Sequence, residues 1–501
     1  MSGKIIRLTA HDGTPVEFVD EVKGAGGLKD CYFAPDRSYV VLFYRDKVDA
    51  VGKDRLQSIV GRFKDNIFNQ AGGAYWEKLY CWPDRIVEWN GRIGITVPFY
   101  ARHYFFEHGS KSGDMLKIKG REKEGKWFAS ANNRAKFLDP RELGTWATHL
   151  RMCLMLARAV RRLHMAGLAH SDLSYKNVLV DPVGGNANII DIDGLVVPGK
   201  FPPDVVGTPD FIAPEVVASA RLPRGDPNRK LPSIQTDCHA LAVLIYMYLL
   251  YRHPLRGRKV HDQDTTRDEE LSMGGRALFV EDPKDASNRI NPKGVRPSEL
   301  PWADTGARPY TLTGPYLSPL FLRAFTEGLK NPQVRPTASE WESALIRTVD
   351  LLQPCINPAC EQKWYVFDNS TRPCCPFCGT PFRGLLPVLN LYHATHKPGE
   401  FRPDNHRLMV YTNQSLYLWH ASRGVAPNER ITQEQAQRVG YFVLHNDRWW
   451  LVNERLPDLY DASAKAVVPV GQKVELKHDQ QILLAKGEGG RLLHVQMVDA
   501  R

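Results

Sequence analysis

The run His170-Ser171-Asp172-Leu173-Ser174-Tyr175-Lys176-Asn177-Val178-Leu179-Val180-Asp181, followed by Ile190-Asp191-Ile192-Asp193-Gly194, decides how this chain is read. An acid followed by an amide five places on, then by a second acid at the end of an apolar run, is the donor set that moving a phosphoryl group requires. One carboxylate orients a hydroxyl nucleophile, while the amide oxygen and the second carboxylate hold a metal that screens the phosphates. Asp and Asn also favour turns, so the residue types alone would fit an ordinary loop. The flanks argue for more. Val178-Leu179-Val180 and Ile189-Ile190 read as two short buried strands joined by an Asp-Pro-Val-Gly-Gly-Asn turn, a hairpin that brings Asn177 and Asp191 to one end.

These residues resemble the catalytic and metal-binding loops of the eukaryotic-type protein kinase family, whose motifs recur here in order. The resemblance implies that Asp172 is the catalytic Asp, and that Asn177 and Asp191 hold metal. Asp193, which stands where the family has Gly, is a candidate second ligand. Gly207-Thr208-Pro209-Asp210-Phe211-Ile212-Ala213-Pro214-Glu215 resembles the end of an activation segment. Asp237 matches the buried Asp that buttresses the catalytic loop, and Arg335 the late Arg that pairs with Glu215. The resemblance covers about 10–350 and implies an α+β, bilobal fold, with an amino-terminal lobe over about 1–100 and a carboxy-terminal lobe over about 101–350. Ser171 replaces the family's Arg, which receives a phosphorylated loop, and 195–206 contains no Ser, Thr or Tyr. Activity independent of loop phosphorylation is therefore expected.

Upstream, Gly24-Ala25-Gly26-Gly27-Leu28-Lys29 resembles the Gly-rich loop, in which Gly24, Gly26 and Gly27 would let backbone amides approach phosphates; a flexible hairpin turn fits the same residues. The strand Tyr39-Val40-Val41-Leu42-Phe43-Tyr44 lacks the lysine the family carries there, a departure similar to that of the with-no-lysine kinases. Lys29 is then the expected phosphate-binding cation, with Arg45 as the alternative. Glu77 is its expected acidic partner, with Asp54 as the alternative. A helix over 150–165 is expected to turn Arg151, Arg158, Arg161 and Arg162 to solvent. The polar stretch 252–310 reads as an irregular surface insertion.

Five of nine cysteines fall in Cys355-Ile-Asn-Pro-Ala-Cys360 and Cys374-Cys375-Pro-Phe-Cys378-Gly379. The spacing reads as a zinc ribbon over 351–385, with Cys355, Cys360, Cys375 and Cys378 as ligands of a structural Zn2+ and Cys374 as the spare. Disulfides are the competing reading, disfavoured in a reducing cytosol. From 386 to 501, apolar segments at 408–411, 415–419, 441–444, 449–452 and 481–484 predict an all-β, sandwich-like module. The tail resembles a forkhead-associated sandwich without its phosphate-holding loop residues, so phosphothreonine recognition and plain docking both stand.

The net charge of +10 is spread along the chain, which points at most to acidic partners and not to nucleic acid. The polar amino terminus and the lack of a long apolar run predict a cytoplasmic protein without membrane partners. The order of kinase, ribbon and β module resembles bacterial kinases of tellurium-resistance clusters, implying a von Willebrand-type metal-binding protein and a metal-dependent phosphatase as partners. Three functions compete: a Ser/Thr protein kinase using ATP and Mg2+ (or Mn2+), a pseudokinase scaffold, and a small-molecule phosphotransferase. Ala213-Pro214-Glu215 and Arg335 disfavour the third, because in the family they shape a platform for a protein substrate.

Overall fold

The computed structural model describes residues 4–25, 28–69, 72–197, 200–201, 207–223 and 225–500. The chain forms two compact units: 1–144, 148–310 and 319–342 make the first, and 145–147, 311–318 and 343–501 the second.

The first unit begins with a hairpin, Ile5–Thr9 against Pro15–Val19, followed by a five-stranded antiparallel sheet. Its strand order is Gly24–Ala25, Lys29–Phe33, Tyr39–Tyr44, Arg92–Pro98, Arg85–Trp89. Side chains alternate across a strand, and Tyr39–Tyr44 uses both faces. Val41 and Phe43 enter one cluster with Phe18 and Tyr32, whereas Val40, Leu42 and Tyr44 enter another with Leu56, Ile86 and Ile95. Leu56 comes from a helical segment made of Ala50–Ser58, a π-turn Ile59–Phe63, and Lys64–Phe68. Asp49 caps it by accepting from the Gly52 N–H at 2.7 Å. Leu56, Ile59, Phe63 and Ile67 are buried at helical spacing, but Arg55 and Ser58 are buried among them and Gly61 breaks the period with φ −102° and ψ −109°. Those polar residues and the widened turn hid the pattern.

The helical part is built around Ile234–Leu250, whose side chains are buried almost all round, as expected of a helix inside a core. Trp146–Met165 precedes the catalytic run. Its arginines do not line a solvated face as a group; only Arg151 is exposed. Arg158 Nε donates to Glu342 Oε1 at 2.8 Å, and Arg161 Nε lies 2.5 Å from Glu342 Oε2. Arg162 donates to the carbonyls of Asn66 and Ile67. Burial is tolerated because each guanidinium meets a carboxylate or carbonyl acceptor. Removing the carboxylate should be costly, since Glu342 is 9 % exposed and Arg158 8 %. Glu342→Ala is expected to destabilise the first unit by about 3–5 kcal/mol, seen as an earlier transition in urea; an unmoved transition would refute the pairing.

The stretch 252–310 is also more ordered than its polarity implied. It contains the helix Thr265–Met273 and buries Phe279 and Val280. Its internal ion pair, Arg252 Nη2 to Glu281 Oε1 at 2.5 Å, is 5 % and 6 % exposed, and Tyr246 OH donates to the same oxygen.

In the second unit a short hairpin, Leu352–Pro354 with Trp364–Val366, accompanies the cysteines. A six-stranded and a four-stranded antiparallel sheet follow, and their inner residues, among them Leu389, Leu408, Phe442, Leu451 and Ile482, form one buried cluster. The strands over 401–409, 438–445, 448–453 and 481–483 lie near the expected ones, while Leu418–Ala421 is a helical turn. Two long strands were not foreseen: Leu385–Ala394 and Arg491–Asp499, which pair along nine residues of each from Leu385↔Asp499 to His393↔Arg491. Leu385–Ala394 lies between two neighbours, so its apolar run is continuous and shows no alternation. Among the described residues no helix is long and apolar enough to cross a membrane.

Candidate active site and cysteine cluster

Strands Val178–Asp181 and Asn186–Ile189 pair antiparallel with Val178 opposite Ile189. The Ile190 N–H donates to the Asn177 carbonyl at 3.0 Å, so the hairpin brings the Asn177 backbone beside the chain leading into Asp191. Both Asp172 oxygens are held. Asn177 Nδ2 donates to Oδ2 at 2.9 Å, and the Thr208 N–H donates to Oδ1 at 2.6 Å. With its nitrogen committed to Asp172, Asn177 keeps Oδ1 as its acceptor end. Behind the loop, Asp237 accepts from the His170 N–H at 2.7 Å and the Ser171 N–H at 3.1 Å, and is 2 % exposed. Two backbone N–H groups on one buried carboxylate lock the loop.

Asp191 takes a left-handed backbone conformation, φ 61° and ψ 42°, which Asp tolerates better than most residues. Lys29, at the start of its strand, reaches this loop. Its Nζ donates to Asp191 Oδ1 at 2.8 Å and to Asp193 Oδ1 and Oδ2 at 2.8 and 2.7 Å. The side chains of Lys29 and Asp193 are 14 % and 7 % exposed, while that of Asp191 is 48 % exposed. Burial by itself would discharge Lys29, but Asp193 and then Asp191 outweigh it and hold the ammonium above the usual lysine range. Burial likewise opposes the charge on Asp193, yet Lys29 prevails and the carboxyl stays below its usual range. Tyr44 OH donates to the same carboxylate.

The structure places both expected acidic partners away from Lys29. Glu77 is exposed on a short 3-10 turn and is not the partner of the cation; Asp193 and Asp191 are. Its alternative, Asp54, instead faces Lys200 Nζ at 3.3 Å. The alternative cation Arg45 donates to Asp30 Oδ1 at 2.8 Å. Gly24 pairs with Cys31, and a Cβ there would meet only Cys31 Cβ at 3.8 Å, so packing does not demand glycine at this position. Gly26 and Gly27 lie outside the described residues. The readings from sequence held Asp193 only as a second ligand and missed Tyr44; their shared destination depends on a contact spanning more than 140 residues.

Compared with known proteins, residues 127–300 match the protein kinase domain family. The catalytic run thus lies in a segment that matches the protein kinase domain. The chain is 37% identical over 118 residues to the death-associated protein kinase dapk-1 of Caenorhabditis elegans, covering 23% of this chain and 7% of that protein. It is 33% identical over 127 residues to the human serine/threonine-protein kinase H1, covering 22% and 28%. The chain thus spans less than a third of the length of these relatives. A solved structure, the Toxoplasma gondii specific rhoptry antigen kinase domain, aligns with a TM-score of 0.39 at 14% identity, covering 69% of this chain and 86% of that one. The matched family span takes in the catalytic run but not Lys29. Beyond the matched span, Arg335 forks onto Glu215, Nη1 to Oε1 at 2.9 Å and Nη2 to Oε2 at 2.6 Å, with 1 % of its side chain exposed. Bidentate pairing fixes the end of the 207–215 segment in orientation as well as position.

In the second unit Cys355, Cys360, Cys375 and Cys378 bring one sulfur each to within 4.8 Å of all the others. The Cys355–Cys378 and Cys360–Cys375 sulfurs lie 3.5 and 3.9 Å apart, too far for a disulfide bond of about 2.05 Å. Four sulfurs at about 2.3 Å from a tetrahedral Zn2+ would stand about 3.8 Å apart, so the donor set fits that ion. Gly379, at φ +72°, turns the chain so that its N–H reaches the Cys375 carbonyl at 2.9 Å. Cys374 is exposed and outside the cluster.

Proposed function

We propose that the chain is an ATP-dependent Ser/Thr protein kinase. The observation that carries this reading is the double hold on Asp172, whose carboxylate Asn177 and the Thr208 N–H aim while Asn177 keeps an oxygen for metal. In this reading Asp172 orients the substrate hydroxyl and accepts its proton as the hydroxyl attacks the γ-phosphorus. Asn177 and Asp191 hold Mg2+ or Mn2+, which neutralises charge on the phosphates. Lys29 binds the phosphates, assisted by the backbone of the 24–28 segment. Ser171 carries no charge to receive a phosphorylated loop, so no loop phosphorylation is needed.

The finer placement, a cytoplasmic enzyme of a bacterial stress or tellurium-resistance-type phosphorylation system, is supported by domain order. A von Willebrand-type protein and a metal-dependent phosphatase would be its partners. The four-thiol cluster would hold a structural Zn2+, and the β-rich unit would recruit the protein substrate.

The purified chain, given γ-labelled ATP, Mg2+ and a protein acceptor, should transfer label to Ser or Thr. Chelation of Mg2+ by EDTA should abolish transfer, and pretreatment with a broad phosphatase should leave it unchanged. A chain that binds the nucleotide without transferring label would replace this reading with a scaffold.

A further inference from the structure

We propose that Tyr44 is a positioning residue of the nucleotide site: it fixes the Asp193 carboxylate, and Asp193 fixes the Lys29 ammonium. The phosphate-binding cation is then held from the metal loop and its own sheet, not from the helix alongside. The inference rests on the kinase reading above.

Lys29 and Tyr44 are direct cross-strand partners. Such neighbours stand about 5 Å apart at Cβ, close enough for two side chains to converge on one group, and both converge on Asp193. The Tyr44 backbone is itself pinned: Arg92 Nε donates to its carbonyl at 2.9 Å, and Arg92 Nη2 donates to Asp30 Oδ2 at 2.7 Å. Alternation along the strand sends Asp30 to the face opposite Lys29, so this clamp does not compete for the ammonium. The two acids differ in kind. Asp193 is buried and meets Lys29 through both oxygens; Asp191 is half exposed and uses one. Asp193 is therefore the anchor, and Asp191 keeps an oxygen for metal.

The neighbouring helical segment supplies nothing equivalent. Residues 50–68 contain no glutamate; Asp54 faces Lys200, and Asp65 accepts from its own Asn69 at 3.0 Å. The buried charged side chain of that segment is Arg55, 2 % exposed. In protein kinases generally, a helix-borne glutamate must be in place beside the cation. Here the anchor travels with the metal loop, so displacement of the helix would not release the cation.

The test is Tyr44→Phe in the full chain. A hydrogen bond to a charged group is worth roughly a tenfold change in affinity. Calorimetry should show about tenfold weaker binding of a non-hydrolysable Mg-ATP analogue with adenosine binding unchanged. The KM for ATP should rise to match, while kcat stays within about threefold. Asp193→Asn should show the same selectivity with a larger loss, whereas Asp54→Asn and Glu77→Gln should bind like wild type. A Tyr44→Phe chain that holds the triphosphate like wild type, or that loses adenosine equally, would overturn the proposal. A wild-type chain that binds the triphosphate without transferring phosphate defeats the kinase reading and leaves Tyr44 to the binding arm. One that binds no triphosphate defeats both.

Discussion

Asp172→Ala should lower phosphotransfer by about 10²–10⁴-fold, the range a positioned general base contributes, with the KM for ATP little changed. The split follows from what Asp172 touches. Its oxygens take the Asn177 amide and the Thr208 N–H, while the Lys29 ammonium goes to Asp191 and Asp193. In the kinase reading, removing the carboxylate takes away the group proposed to aim the attacking hydroxyl and leaves the cation and its anchors in place. A loss confined to kcat is the signature of an interaction made only in the transition state. Asp172→Asn separates base chemistry from geometry: its amide oxygen can still accept one of the two hydrogen bonds, but the side chain cannot take a proton. It should be nearly as inactive as Asp172→Ala. Label incorporation by Asp172→Ala at the wild-type rate would end the enzyme reading, and would turn attention to the β-rich unit as the working part of the chain.

The parts of this site that could be read from sequence are those set by short spacing. Asp172 and Asn177 stand five residues apart, and the hairpin between Asn177 and Asp191 closes on its own turn, so residue order already places them together. Arg335 with Glu215, and Asp237 with the catalytic run, were reached through the family resemblance, which carries long-range pairings that no local pattern contains. Where neither applied, the reading failed in a definite direction. Arg158, Arg161 and Arg162 look like a polar face because helical periodicity sorts residues by hydropathy; it does not see that Glu342, on a distant helix, accepts from Arg158 and pairs with Arg161. Glu77 lies just before the fourth strand, where the resemblance leads one to look for the acidic partner, whereas the partner is set by strand register. Lys29 opposite Tyr44 points at Asp193, and register is a property of the folded sheet.

Removal of metal from the second unit should be the largest single stability change available in this chain. Structural zinc contributes about 10–16 kcal/mol of apparent binding free energy in small zinc-binding peptides, and binding to a site present only in the folded state is folding free energy. The purified chain should carry one Zn2+, detectable by elemental mass spectrometry. A strong chelator should strip it and lower the transition of the second unit, with zinc restoring it. The cysteines allow a sharper version. Cys375 is fully buried in the cluster and Cys374, its neighbour, is exposed outside it. Cys375→Ser should abolish zinc retention and destabilise the second unit, because three thiolates cannot close the tetrahedron. Cys374→Ser should retain the metal and the wild-type transition. Equal behaviour of the two variants would show that the sulfurs are ordinary free thiols. Loss of metal from Cys374→Ser alone would show that the ligand set includes the spare.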